Sequence, residues 1–364
     1  MMFQSTTLAD EIAAELELGL PIAAKNAAKR MTALKETALH LRELGLSRSL
    51  KNIPVILNDL SVAGISTRNV TIPAFGGLLY GVSSIALWMK LSGADILETR
   101  EISRVKMGDI DFYGKEERLN WHQIQLTFDV LEALIEEKQS RLILMDFPLF
   151  ISRREEAVIA DDLSVQDEWD LLVDRVNEFW EKHFSDIYPF QSDGVMIASL
   201  RSHSATSLFS ALKKNPLSSP DDSGSKLAQY ISDEWSLCQQ LGQSRILSHV
   251  LEPSSRSIAY SYEDLDMDPR WQPSALHSVG ILGMFLQARQ QTELWHIQVP
   301  GHKTQWSSES LDRLAFDIVR ATLYDDRNSL PLPLWFAKKN VKFPRELLIA
   351  YRESIEKELK QNDG

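Results

Sequence analysis

An amphipathic helix pattern followed at once by a short apolar run places this chain among the α/β folds. Over residues 117–138, apolar side chains recur at intervals of three, four, three and four residues, the spacing of one helix face. They are Trp121, Ile124, Phe128, Leu131 and Ile135. Residues 142–145 (Leu-Ile-Leu-Met) then predict a buried strand, because the apolar run stops at a Phe-Pro break. A helix that leads directly into a buried strand is typical of an α/β fold.

One acidic residue, Asp146, closes this apolar run. An unpaired carboxylate inside a core is costly. At the carboxyl end of a central strand it can instead face a cleft and hold a metal ion. The alternative is structural, since an Asp at a strand end often caps the following turn. Taken alone, the segment slightly favours the structural role, in which Asp146 caps a turn. If the protein is an enzyme, however, Asp146 is the first residue at which we expect catalysis.

The composition is that of an ordinary globular protein and excludes several classes of protein and of site. The 364 residues are 44% hydrophobic and 25% charged, which allows one large domain or two ordinary ones. The single cysteine, Cys238, excludes an internal disulfide and a cysteine-based zinc site, and it fits a cytoplasmic protein. The sequence shows no secretory signal, and no apolar run approaches the roughly 20 residues that span a bilayer. We therefore predict no membrane association.

The net charge of −12 and the pI near 5.2 argue against a protein that simply coats nucleic acid. They do not exclude a nuclease, which can gather acidic residues at a metal site and confine basic residues to one groove. Local basic patches occur at residues 25–30 and 338–345. Most such patches are solvated surface, so each is weak evidence for a nucleic-acid site.

The chain reads as one mixed α/β domain with a helical extension. Residues 7–46 have a helical pattern that Gly19 and Pro21 divide in two. Strand and helix patterns then alternate without an internal repeat or a long linker. We predict an N-terminal helical extension over residues 1–62 and a single domain over residues 63–364. The sequence lacks a phosphate-binding loop, a dinucleotide fingerprint, a nucleophile elbow and a zinc-binding helix.

Four further acidic residues are candidates to bind a metal ion together with Asp146. Asp109 and Asp111 alternate and would point to one face of an extended segment. Asp129 and Glu132 are three residues apart on the helix that precedes Asp146, so they share a side of it. Two-metal phosphodiester chemistry needs several converging carboxylates, and these acids could supply them. Each acid alone is more simply explained as a solvated surface residue.

Five segments, in chain order, resemble the NurA family of DNA-end-processing nucleases. Residues 142–149 resemble the family's apolar strand ending in Asp-Gly-Ser/Pro-Leu, and residues 195–202 resemble its second core strand with a basic end. Residues 247–257 are similar to its leucine-rich helix and Gly-Glu-Arg-Ser turn. Residues 294–300 resemble its Arg-Ile-Glu-x-Pro strand, and residues 330–334 its Tyr-Pro-x-Pro-Leu segment. Their order carries the resemblance, since each motif alone is unspecific.

The resemblance implies an RNase H-like mixed sheet flanked by helices and a deoxyribonuclease dependent on Mn²⁺ or Mg²⁺. Such proteins form homodimers docked on a HerA-type hexameric ATPase, and they act on DNA in repair or in defence against foreign DNA. The expected chemistry is metal-assisted hydrolysis. The expected metal ligands are Asp146, Asp129, Asp109 and Asp111, of which Asp146 and Asp129 would be catalytic. The expected DNA contacts are Arg201, Arg256, Lys338 and Lys339.

The chain also departs from the family pattern. The family's first strand ends in Val-Asp-Gly-Ser, and the matching stretch, residues 71–77, puts Ala74 at the aspartate. The family's helix glutamate falls near Asp129, and its late Tyr and His fall on Leu332 and Lys338. Three hypotheses follow. The chain is an active nuclease with a rearranged acid set, a catalytically inactive NurA-like adaptor or DNA clamp, or an unrelated α/β protein.

Overall fold

The computed structural model describes residues 8–53, 59–92, 95–149, 163–201, 208–262, 279–289, 293–322 and 330–362. Helices and strands are mixed along the chain, which confirms the predicted α/β class. In order, the elements are α1 (Leu8–Glu43), β1 (Ser47–Ser49), β2 (Leu60–Ala74), β3 (Gly77–Ser92), β4 (Asp95–Ile110), α2 (Lys115–Glu136), β5 (Leu142–Met145), α3 (Leu163–His183), β6 (Met196–Arg201), α4 (Leu208–Lys214), α5 (Gly224–Asp233), α6 (Trp235–Leu241), α7 (Gln243–Val250), β7 (Ser255–Ser257), β8 (Tyr260–Ser261), β9 (Ile281–Gln287), β10 (Trp295–Pro300), α8 (Ser308–Thr322), α9 (Leu332–Asn340) and α10 (Arg345–Asn362).

Within these ranges the strands form one mixed sheet in the order β1-β7-β9-β10-β6-β5-β2-β3-β4, with β8 beside β9. Strands β2, β3 and β4 are long and antiparallel, whereas β5 and β6 lie parallel to β2. Each parallel connection carries a helix, α2 before β5 and α3 before β6. This order, three antiparallel strands followed by two parallel ones, is the RNase H-like mixed α/β architecture that the sequence predicts.

Alternation along the central strands assigns side chains to two faces of the sheet. On β2, Ala63 and Ile65 join the apolar cluster that contains α2 and α3, whereas Val62 joins the cluster that contains α8 and α9. Gly64 lies on the α9 face, where an added Cβ would stand 2.2 Å from the Leu334 nitrogen. Helix α9 therefore sits directly on β2, at the place where Gly64 leaves room for it.

Helix α1 is continuous through Gly19 and Pro21, which the sequence pattern had predicted to divide it. Its first core contacts that the structure describes come at Ala33 and Leu34, followed by Ala38 and Leu41. The following strand β1 pairs with β7, so this part of the predicted extension contributes to the same sheet and core as the rest of the chain. The predicted division at residues 62 and 63 stays a prediction.

Among the described residues, no helix has the combined length and apolar character needed to cross a membrane.

Candidate functional site

Asp146 lies at the end of β5, beside the middle of β2. Strands β2 and β5 run parallel with Met145 opposite Ile65, so the next residue of each strand, Asp146 and Ser66, also lie side by side. The Ser66 hydroxyl donates a hydrogen bond to Asp146 Oδ2 at 2.7 Å. Asp146 Oδ1 is buried and has no hydrogen-bond partner among the described residues. The two strands thus hold one carboxylate oxygen and leave the other unsatisfied.

The charges near Asp146 are positive. Burial raises the pKa of Asp146, while the Ser66 hydrogen bond and the charges of Arg68 and Lys338 oppose that rise. Arg68 follows Ser66 on the same face of β2, and Lys338 lies in the last turn of α9. Both side chains belong to exposed residues. Asp146 is therefore a half-buried acid, with its Oδ1 atom buried, beside two exposed cations.

The match of Ala74 to the family's aspartate is corrected, because Ala74 does not lie beside Asp146. Ala74 pairs with Gly77 at the β2–β3 hairpin turn, eight residues beyond Ser66. At about 3.4 Å per residue, this separates the two positions by about 27 Å along β2. Ser66 is the β2 residue opposite Asp146. A local sequence match cannot identify this residue, because the parallel register of β2 and β5 decides which residue is adjacent.

The other predicted acids are not gathered at Asp146. Asp129 lies on α2 and accepts a hydrogen bond from Arg175 Nε at 2.7 Å. Helix α2 covers the opposite face of the sheet, since its Thr127 hydroxyl lies 2.8 Å from the hydroxyl of Thr67, which alternates with Ser66. Asp129 therefore does not lie beside Asp146, and the predicted pairing of these two catalytic acids is corrected.

Asp109 and Asp111 lie near the hairpin end of the long strands. Asp109 pairs with Leu79, whose partner on β2 is Ile72, six residues past Ser66. Asp111 follows the end of β4, where its Oδ1 accepts hydrogen bonds from the Tyr113 nitrogen at 2.7 Å and from Arg118 at 3.0 Å. Neither acid shares a site with Asp146, so the predicted four-carboxylate metal shell is not assembled by the fold.

The described residues contain one group of three ligand-type side chains whose ligand atoms lie within 4.8 Å of one another: Glu132, Glu136 and His183. Protein cations already engage this group. Lys182 Nζ donates to Glu132 at 2.6 Å and to Glu136 at 2.7 Å, and Arg175 also donates to Glu132. Burial raises the pKa of Glu132, but hydrogen bonds from Lys182, His183 and Arg175 outweigh it and lower that pKa to about 2.

The four predicted DNA-contacting residues differ in accessibility. Arg201 at the end of β6 is exposed, as are Lys338 and Lys339 in the last turn of α9. Arg256 is fully buried, with Nη2 at 3.0 Å from Asp221 and Nε at 2.5 Å from Asp312. Its role as a DNA contact is corrected, because an arginine enclosed by two carboxylates cannot reach a phosphate.

The fold of this chain is similar to that of a solved nuclease structure. The NurA nuclease from Sulfolobus solfataricus superposes with a TM-score of 0.60 at 12% sequence identity, over 98% of each chain. The chain has a NurA-like fold. A NurA structure with manganese has a TM-score of 0.42 at 11% identity, covering 90% of this chain and 96% of that chain. The catalytic domain of human endonuclease V has a TM-score of 0.33 at 12% identity, covering 91% and 98%. No protein-family model and no curated protein sequence matches the chain.

Within this NurA-like fold, the donor set at Asp146 does not fit a two-metal centre. Hard divalent ions take several oxygen ligands, and a pair of such ions needs carboxylates that converge on both. The three-ligand group of the described residues excludes Asp146 and lies on α2 and α3. At Asp146 the neighbouring strand offers a serine hydroxyl, and the nearby charges are cations.

Sequence reasoning missed Ser66 and Arg68. The available signal is that Ser66, Thr67 and Arg68 interrupt an otherwise apolar run in β2. Their significance depends on the partner strand, which the sequence pattern does not identify.

Proposed function

We propose that this chain is a NurA-like DNA-processing subunit that binds DNA, assembles with a HerA-type hexameric ATPase as a homodimer, and does not itself cleave DNA at Asp146. Its setting would be DNA-end processing or defence against foreign DNA in the cytoplasm. Fold alone does not establish function, so the proposal rests on the site. Its main support is Asp146, which is held by a serine and flanked by Arg68 and Lys338 where a metal nuclease needs further carboxylates.

A second candidate is a nuclease that depends on Mn²⁺ or Mg²⁺. The observation that favours it is the group Glu132, Glu136 and His183, which has the spacing of a cation site. Against it stand Lys182 and Arg175, whose charges neutralise the same carboxylates. A divalent ion would have to displace the Lys182 ammonium before it could bind there.

Digestion of linear duplex DNA with Mn²⁺ separates these candidates. We expect the wild type, Asp146→Ala and Glu132→Gln to show the same background rate as buffer. Cleavage by the wild type that Asp146→Ala abolishes would overturn the proposal and make Asp146 a catalytic residue. Cleavage lost only in Glu132→Gln would favour the second candidate.

Co-expression with a HerA-type hexamer tests the proposed partner. We expect the two proteins to co-purify and to elute together by size exclusion. A chain that elutes alone as a monomer, in the presence of a folded and active hexamer, would contradict this part of the proposal.

A further inference from the structure

A strip of polar residues crosses the α9 face of the sheet between two apolar clusters. Asp146 and Ser66 lie side by side, and Arg68 on β2 lies opposite Ser83 on β3. Strand alternation puts these side chains on the same face. On one side of the strip lies the cluster containing Val62, and on the other the cluster containing Ile72, Leu79 and Phe343. Polar residues therefore occupy a gap in a face that is otherwise apolar.

Lys338 lies over this strip. Helix α9 begins against Gly64, where Leu334 packs, and the chain after it brings the Phe343 ring over Gly81, the cross-strand partner of Val70. The helix thus advances along β2 from residue 64 toward residue 70. One helical turn from Leu334 to Lys338 advances about 6 Å, close to the roughly 6.6 Å that separates Gly64 from Ser66.

Two polar atoms in the strip are buried and have no partner among the described residues, Asp146 Oδ1 and Ser83 Oγ. Leaving a buried polar atom unsatisfied costs free energy. The Asp146 oxygen is an acceptor and calls for a donor such as the Arg68 or Lys338 cation, whereas the Ser83 hydroxyl can donate to an anion. The charge of Lys338 acts on Asp146, and the end of α9 and the chain after it carry further exposed cations at Lys339, Lys342 and Arg345. A basic surface on a chain with a net charge of −12 is a local feature that attracts an anion.

We propose that this strip binds a backbone phosphate of DNA directly, with Arg68 and Lys338 supplying the positive charge that a divalent cation supplies elsewhere. The inference rests on the proposed function, because it names the place where the subunit contacts DNA. Asp146 acts as a positioning residue that holds the two cations between itself and the phosphate. Ser66 fixes the Asp146 carboxylate for this purpose, and Ser83 offers a further hydroxyl donor.

Fluorescence anisotropy with a labelled duplex, in EDTA and in Mn²⁺, tests the inference. We expect the wild-type Kd to be the same in both buffers within about twofold, and Arg68→Ala and Lys338→Ala each to weaken binding by about tenfold. Lys25→Ala on α1 is the matched control. It removes one exposed positive charge away from the strip and should not change the Kd.

Ser66→Asp provides a test in the opposite direction. A second carboxylate beside Asp146 should weaken DNA binding in EDTA, and Mn²⁺ should restore it, with bound Mn²⁺ detected by electron paramagnetic resonance. Thermal unfolding of each variant checks that it folds.

The outcomes distinguish this inference from the proposed function. If the wild type binds DNA and Arg68→Ala and Lys338→Ala bind it equally well, the inference is overturned but the proposed DNA binding is not. Wild-type binding that requires Mn²⁺ also overturns it. A wild type that does not bind DNA in either buffer overturns both.

Discussion

At the scale of single residues, Asp146 carries a burial cost that the Ser66 hydroxyl and two cations offset only in part. Burial raises the pKa of Asp146. Because the folded-state pKa lies above the unfolded value of about 3.9, the protonated carboxyl favours folding at low pH. That stability is lost as the pH rises through the folded-state pKa. The fold therefore tolerates a carboxyl whose ionised form burial disfavours, which is typical of a residue kept for function.

Replacing Asp146 by Asn should stabilise the protein at pH 7, on the order of 1 kcal/mol, because it removes a carboxyl whose ionised form burial disfavours and keeps an oxygen to accept the Ser66 hydrogen bond. Urea denaturation across pH measures the effect, which should shrink as the pH falls toward the unfolded pKa. Asp109→Asn, at an exposed position on β4, is the matched control and should change little. A destabilised Asp146→Asn at pH 7 would show that the charge itself holds the local structure together.

At the scale of elements, the sequence correctly predicted individual helices and strands. It did not predict contacts that depend on which strands pair and in which register. The periodicity around Trp121 and the apolar run before Asp146 correctly predicted α2 and β5. The contact between Ser66 and Asp146 joins residues 80 positions apart, and no local pattern fixes the register of two parallel strands. The same limit explains why the sequence pattern matches Ala74, and not Ser66, to the family's aspartate.

An ion network ties β1, β7, α8 and the loop before α5 together. Arg256 on β7 pairs with the fully buried Asp221 and with Asp312 on α8, and Arg48 on β1 also pairs with Asp312. Arg256→Ala should destabilise the protein by about 3–5 kcal/mol, since it leaves the Asp221 carboxylate buried without its main partner. Urea denaturation measures this, with the exposed Arg201→Ala as control. If the two variants lost the same free energy of unfolding, water would be able to reach and solvate the Asp221 carboxylate once Arg256 is removed.

The first turns of α1 should contribute little to the stability of the rest of the chain. Leu16, Leu20 and Met31 are exposed, and the described core contacts begin at Ala33 and Leu34. Deleting residues 1–30 should therefore change the free energy of unfolding by no more than about 0.5 kcal/mol in chemical denaturation. Deleting residues 1–41 also removes core side chains from Leu34 to Leu41 and should prevent cooperative folding. A large loss from the shorter deletion would mean that the first turns of α1 do pack on the protein.

At the scale of the whole molecule, a net charge of −12 would confine the proposed DNA contact to a small basic surface near α9. Because the chain as a whole repels phosphate, few cations should take part in binding and the salt dependence should be shallow. With Arg68 and Lys338 as the two cations of the proposed contact, log K should fall against log salt with a slope of about −2, measured by anisotropy between roughly 50 and 200 mM salt. Lys338→Ala should reduce the magnitude of that slope by about 1. Lys25→Ala should leave the slope unchanged, because Lys25 lies on the exposed part of α1. An equal change in both variants would mean that DNA senses the overall charge of the molecule, with no defined contact at Lys338.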